Sequence, residues 1–109
     1  MAKSAAVTML VSYYPKKGKE KKLLALIKKQ WPVLHRAALV SKMNPQIWRA
    51  SDKQTHRLFF VEMFQWKDAR ASDVAHRTPE VMAIWGPMEP LLENLQLSRI
   101  EPIPLRPAQ

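Results

Sequence analysis

The run Leu58-Phe-Phe-Val-Glu-Met-Phe-Gln-Trp66 constrains the fold more than any other part of the 109-residue chain. Its β-forming residues are apolar on both alternating faces, the pattern of a strand covered on two sides. Phe59, Val61 and Met63 point one way, and Leu58, Phe60, Glu62, Phe64 and Trp66 the other. Such a strand belongs at the centre of a sheet, and the remaining elements must supply both that sheet and its covers.

Val7 to Tyr14 reads as a first strand, stopped by Pro15-Lys-Lys-Gly18. From Lys19 the period changes: Leu23, Ile27, Trp31 and Leu34 form one helical stripe, widened by Leu24 and Ala38, with lysines opposite. Pro32 should kink that helix or divide it. Gln46 to Ala50 is a short strand, and Ser51 to Thr55 a hairpin connection. Asp68 can cap a helix carrying Val74 and His76. Thr78-Pro79-Glu80 gives a second helix start, and Val81, Trp85, Met88 and Leu92 continue the stripe past bends at Gly86-Pro87 and Pro90. Leu95 to Ile100 is a final strand, followed by an extended tail from Glu101.

The order βαββαβ predicts a ferredoxin-like α+β domain spanning residues 1–109. It has one antiparallel four-stranded sheet with two helices on one face. The other face is left bare. Phe60, Phe64 and Trp66 are assigned to it, so a second copy, a ligand or nucleic-acid bases must cover them.

Composition narrows the chemistry. Without cysteine there are no disulfides, thiolate nucleophiles or Fe–S clusters. No two histidines have metal-binding helical spacing and no carboxylates cluster, so neither a metal nor another cofactor is expected. The opening Met1-Ala-Lys-Ser-Ala-Ala6 lacks the apolar core of a secretory signal and no run could span a bilayer. A soluble, cytoplasmic protein with no membrane partner is expected. The net charge of +9 permits an acidic partner without requiring one. The block Lys16 to Lys22 reads as a solvated turn and helix start, and nucleic-acid binding is not expected.

Phe60-Val-Glu-Met-Phe-Gln-Trp66, Asp68-Ala69, Ala75-His-Arg-Thr-Pro-Glu-Val81 and Ile84-Trp85 together resemble the antibiotic-biosynthesis-monooxygenase-like group of dimeric α+β barrel proteins. The resemblance implies a homodimer packed sheet against sheet, with a pocket in each protomer between sheet and helices. The group includes cofactor-free oxygenases of polycyclic phenols, haem-degrading enzymes and isomerases. Haem-degrading members use an Asn on the first strand and a Trp and His ten residues apart on the second helix. This chain has no Asn between Val7 and Tyr14, carries His76 at the Trp position, and has Gly86 ten residues on.

On that frame the candidate catalytic residues are Glu62 and His76. Glu62 becomes an acid or base if it faces a closed cavity, or else pairs with a cation such as Arg49. His76, on the helix flanking the implied pocket, could move a proton at neutral pH. Trp66, Trp85, Met88, Tyr13 and Tyr14 are the candidate ligand-binding residues, with one tyrosine on each face of the sheet. The expected function is binding, with oxidation, of a small aromatic or hydrophobic molecule without a metal. A non-catalytic binding module uses the same residues. The alternative is an RNA-binding domain of RRM type, to whose third-strand signature Arg57 to Phe64 is similar. Its glycines are missing, and Glu62 on the base-stacking face would repel phosphates.

Overall fold

The computed structural model describes residues 5–106. Met1 to Ser4, part of the stretch compared with a secretory signal, and the last three residues of the tail lie outside the described residues. The elements are β1 (Val7–Pro15), α1 (Glu20–Arg36), β2 (Gln46–Ser51), β3 (Leu58–Trp66), α2 (Ala71–Ala75), α3 (Pro79–Met88), a 3-10 turn (Glu89–Leu91) and β4 (Leu92–Ile100). The strands form one antiparallel sheet in the order β2-β3-β1-β4. Among the described residues no helix is long and apolar enough to cross a membrane.

The ferredoxin-like order is thus as expected, with local differences. Pro32 neither breaks nor divides α1, which runs through it. Pro32 and Lys28 are both exposed, so the Lys28 carbonyl that the ring deprives of a donor faces solvent. Ala38 does not widen the stripe: it lies beyond the helix, exposed, with φ 57°. The second helical region is two pieces, because the residue before a proline avoids helical angles; Thr78 is extended at φ −98°, ψ 111°. Thr78 takes the N-cap position, but its hydroxyl donates to the Val74 carbonyl (2.7 Å) instead of capping. Asp68 accepts from the Arg70 amide (2.9 Å) in the turn that enters α2. His56 sits in the β2–β3 hairpin with φ 63°. Glu101 to Arg106 have no regular structure and are exposed.

The faces of the sheet are the main correction. Phe60, Glu62, Phe64 and Trp66 are buried beneath the helices. The register carries Tyr13, Val11, Met9 and Val7 of β1 to the same side. Leu23, Ile27 and Leu34 of α1 and Val81, Ile84 and Met88 of α3 close that core. The uncovered face carries the other set: Phe59, Val61 and Met63, with Leu10 and Tyr14 of β1 and Trp48 of β2. There Tyr14 stacks on Phe59 at 4.9 Å and 18°, with the Arg57 guanidinium 5.4 Å from the Tyr14 ring. A face without helices therefore still needs covering, but not at Phe60, Phe64 and Trp66. Glu62 lies on the helix side and so does not repel phosphates from the open face.

Phe60 is the largest fully buried side chain of the core. Phe60→Ala should lower unfolding stability by ~3–5 kcal/mol, read from the denaturant midpoint at unchanged m-value. A loss below ~1 kcal/mol would place the ring outside the core.

Candidate functional site

Period-2 alternation puts Glu62 in the middle of the covered face, opposite Val11 of β1 and Ile47 of β2. It is fully buried and, among the described residues, no Lys, Arg or His forms an ion pair with it. Arg49 is therefore not its partner. Neutral donors hold it instead. The Tyr13 hydroxyl donates to Glu62 Oε1 at 2.7 Å, and Gln30 Nε2 donates to Oε2 at 2.5 Å and to the Tyr13 oxygen at 3.2 Å. Trp85 Nε1 donates to Gln30 Oε1 at 2.9 Å. Because an indole N–H can only donate, Trp85 fixes the orientation of the Gln30 amide, so its NH2 must face Glu62 and Tyr13.

Burial disfavours the carboxylate more than the bonds from Tyr13 and Gln30 favour it, and the Glu62 pKa is pushed up to about 8. Burial, with the Glu62 charge next in weight, raises the Tyr13 phenol well above its usual range. Near pH 7 the carboxyl thus holds a proton that it can exchange.

These groups form the wall of a cavity of about 450 Å³ between the helices and the β1–β4 side of the sheet, a size that suits a small molecule. Phe64, Trp66, Trp85, Met88, Met9 and Leu92 give it apolar walls. Trp66 meets Phe64 edge-on at 4.9 Å and Trp85 at 6.3 Å. His76 closes α2 and also lines the cavity, its ring 4.9 Å from that of Trp85. Its Nδ1 lies 2.7 Å from the Ser72 carbonyl oxygen. That oxygen can only accept, so Nδ1 carries a hydrogen and Nε2 is the acceptor of the neutral ring. The His76 side is open to solvent, whereas the Glu62 end is closed.

Six sequence candidates, Glu62, His76, Trp66, Trp85, Tyr13 and Met88, thus line one cavity. Tyr14 does not join them; alternation turns it onto the opposite face, against Phe59. Gln30 was missed. Its signal was present, since it lies on the Leu23–Ile27–Leu34 stripe as a polar residue among apolar ones. Glu89, Glu93 and Asn94 at the rim were also missed, and only the fold brings them there. Among the described residues no three of His, Asp and Glu come together as metal ligands.

The raised Glu62 pKa makes stability depend on pH. In the unfolded chain the group ionises near 4.5 and in the fold near 8, so the fold binds the extra proton between these values. Its contribution is complete below about pH 4.5 and lost as pH rises through about 8. Unfolding free energy should fall by roughly 1 kcal/mol per pH unit across that window, and Glu62→Gln should flatten the slope. Equal slopes in both proteins, measured by urea melts from pH 5 to 9, would assign the ionisation elsewhere.

No family model and no curated protein matches the sequence. Solved structures do match. PA3566 from Pseudomonas aeruginosa superimposes with a TM-score of 0.69 at 16% identity, over 95% of this chain and 100% of that one. An antibiotic biosynthesis monooxygenase gives 0.66 at 12%, over 90% and 99%. SnoaB, a cofactor-independent oxygenase from Streptomyces nogalater, gives 0.69 at 11%, over 96% and 100%. At such identities the likeness concerns architecture. The chain has the ferredoxin-like α+β fold of the antibiotic-biosynthesis-monooxygenase-like proteins.

Proposed function

We propose that the chain binds a small aromatic or hydrophobic molecule in this cavity and takes a proton from it through Glu62, the resulting anion being oxidised by molecular oxygen. One observation carries the reading: a fully buried carboxyl, with no cation beside it among the described residues, stands in the wall of an apolar, aromatic-lined cavity. Oxidation without a redox centre needs a base, a dry site and flat walls that hold the anion beside oxygen. Glu62 is the base in its carboxylate form, so the rate should rise with pH through about 8; Tyr13 and Gln30 orient it, and Trp66 and Trp85 are the walls. At an activated ring methylene the overall change is CH2 + O2 → C=O + H2O, with the substrate as the only reductant. SnoaB, named a cofactor-independent oxygenase, shares the fold and supports the choice of reaction. With no turnover, the same cavity is a binding module.

Oxygen uptake with a hydroxyanthrone as probe tests the reaction. The wild type should consume oxygen, and Glu62→Gln should lower the rate by at least a hundredfold, as removal of a general base does. Equal rates would remove Glu62 from the chemistry, and probe binding without uptake would leave a binding module. His76→Ala should weaken probe binding while costing only about 1 kcal/mol of stability, because the ring is exposed. Unchanged affinity with a large fall in melting temperature would make His76 structural.

The uncovered face we assign to a second copy of the chain. Trp48, Phe59, Val61, Met63, Leu10 and Tyr14 form an apolar surface whose self-pairing suits an obligate interface of about 2,000 Å². Sedimentation at micromolar concentration should give twice 12.6 kDa, and Val61→Lys should give the monomer. A wild-type monomer would overturn this assignment, and micromolar, salt-sensitive RNA affinity would transfer the face to nucleic acid.

A further inference from the structure

We propose that the cavity selects a ligand bearing a positive charge, a small amine with an apolar or aromatic body whose ammonium group pairs with Glu62. The inference rests on the cavity being a ligand site and not on the oxidation step.

The first ground is an inversion of charge. Basic residues outnumber acidic ones 18 to 9 in the chain. Yet, among the described residues, the cavity lining contains Glu62, Glu89 and Glu93 and no Lys or Arg. Glu93 is bonded to Arg57, whose guanidinium lies against the Tyr14 ring on the uncovered face, and both side chains are well exposed. The second ground is the buried end. Glu62 has only neutral donors, Tyr13 from β1 and Gln30 from α1, with Trp85 of α3 behind Gln30. β2 offers Ile47 opposite, and His76, Glu89 and Glu93 lie elsewhere along the lining. Among the described residues no group brings a positive charge to the carboxyl.

A ligand carboxylate or phosphate would leave water without meeting a cation, at a large desolvation cost. An ammonium offsets the desolvation of Glu62 as well as its own, and the faces of Trp66, Trp85 and Phe64 favour it further. Pairing also bears on the base. In the empty cavity, with a pKa of about 8, the Glu62 carboxyl mostly holds its proton at pH 7. A ligand cation favours the carboxylate and drives that proton out, so the group becomes ionised when the site is filled.

Three probes of one shape decide the matter: 4-phenylbenzylamine, 4-phenylbenzyl alcohol and 4-phenylbenzoate, titrated calorimetrically in two buffers of different protonation enthalpy. At pH 7 the amine should bind at least tenfold tighter than the alcohol, with the benzoate weakest. The amine should release close to one proton per site and the alcohol none. At pH 9, where Glu62 is largely ionised and the free amine partly neutral, the release should disappear and give way to a small uptake, and this comparison needs no variant. Glu62→Gln should lose at least tenfold for the amine and little for the alcohol. Equal affinities, a preference for the benzoate, or amine binding without proton release would overturn the charge selection and leave an apolar ligand site. If none of the three binds at millimolar concentration, the reading of the cavity as a ligand site fails, and this inference with it.

Discussion

The burial of Glu62 is the constraint around which the other elements are arranged. A carboxyl without water must be given hydrogen-bond donors by the fold, and each donor here comes from a different element. Tyr13 reaches it from the adjacent strand and Gln30 from the middle of α1's apolar stripe. Trp85, from α3, holds the Gln30 amide the right way round. β3, β1, α1 and α3 are therefore tied at one point by directional contacts, where apolar packing alone would tolerate sliding. The network is closed: among the described residues no buried side-chain polar atom lacks a partner. Removing any one member leaves another unsatisfied, so these residues act as a unit and not as separate contributors.

The same arrangement explains where the cavity lies. The helices cover β3 and β1 but leave the helix side of β4 open, so Leu95 and Leu97 remain 41% and 63% exposed. α3 is short and passes through Gly86 and Pro87 into the 3-10 turn Glu89–Leu91, which delivers the chain to β4. A methyl group on Gly86 would meet nothing within 4 Å, so that residue leaves space at the wall and does not serve a close contact. The outcome is polarised: a sealed end holding the carboxyl, and an open end with His76 and the rim glutamates. A ligand would enter from the wet side and meet the proton-exchanging group last.

Much of the fold was legible because each element carries a clean period. β3 runs over the residues its composition marks, and the stripe of α1 is buried where spacing puts it. The facing of the sheet was not legible, since alternation sorts residues into two sets without saying which set the helices take. With both sets apolar, periodicity alone does not choose between them, and the donors from Tyr13, Gln30 and Trp85 make the burial of Glu62 stable. That Tyr13 and Tyr14 part company was readable, but not which one joins the site. The His76 tautomer depends on the Ser72 carbonyl, and the cavity on side-chain volume that is missing; neither leaves a mark in a linear pattern.

Packing alone does not account for a carboxyl at position 62. A leucine there would continue the apolar row of Phe60, Phe64 and Trp66 and remove the desolvation that raises the pKa. Tyr13 and Gln30 could then be apolar as well, and Trp85 would need no acceptor. The fold instead keeps four polar groups together where its core borders an empty space. A polar network that merely fixed the register of β1 on β3 would serve equally well anywhere along the sheet. Its placement in the cavity wall, where Tyr13 and Gln30 hold the one buried acid among the described residues, ties the departure from good packing to what the cavity does.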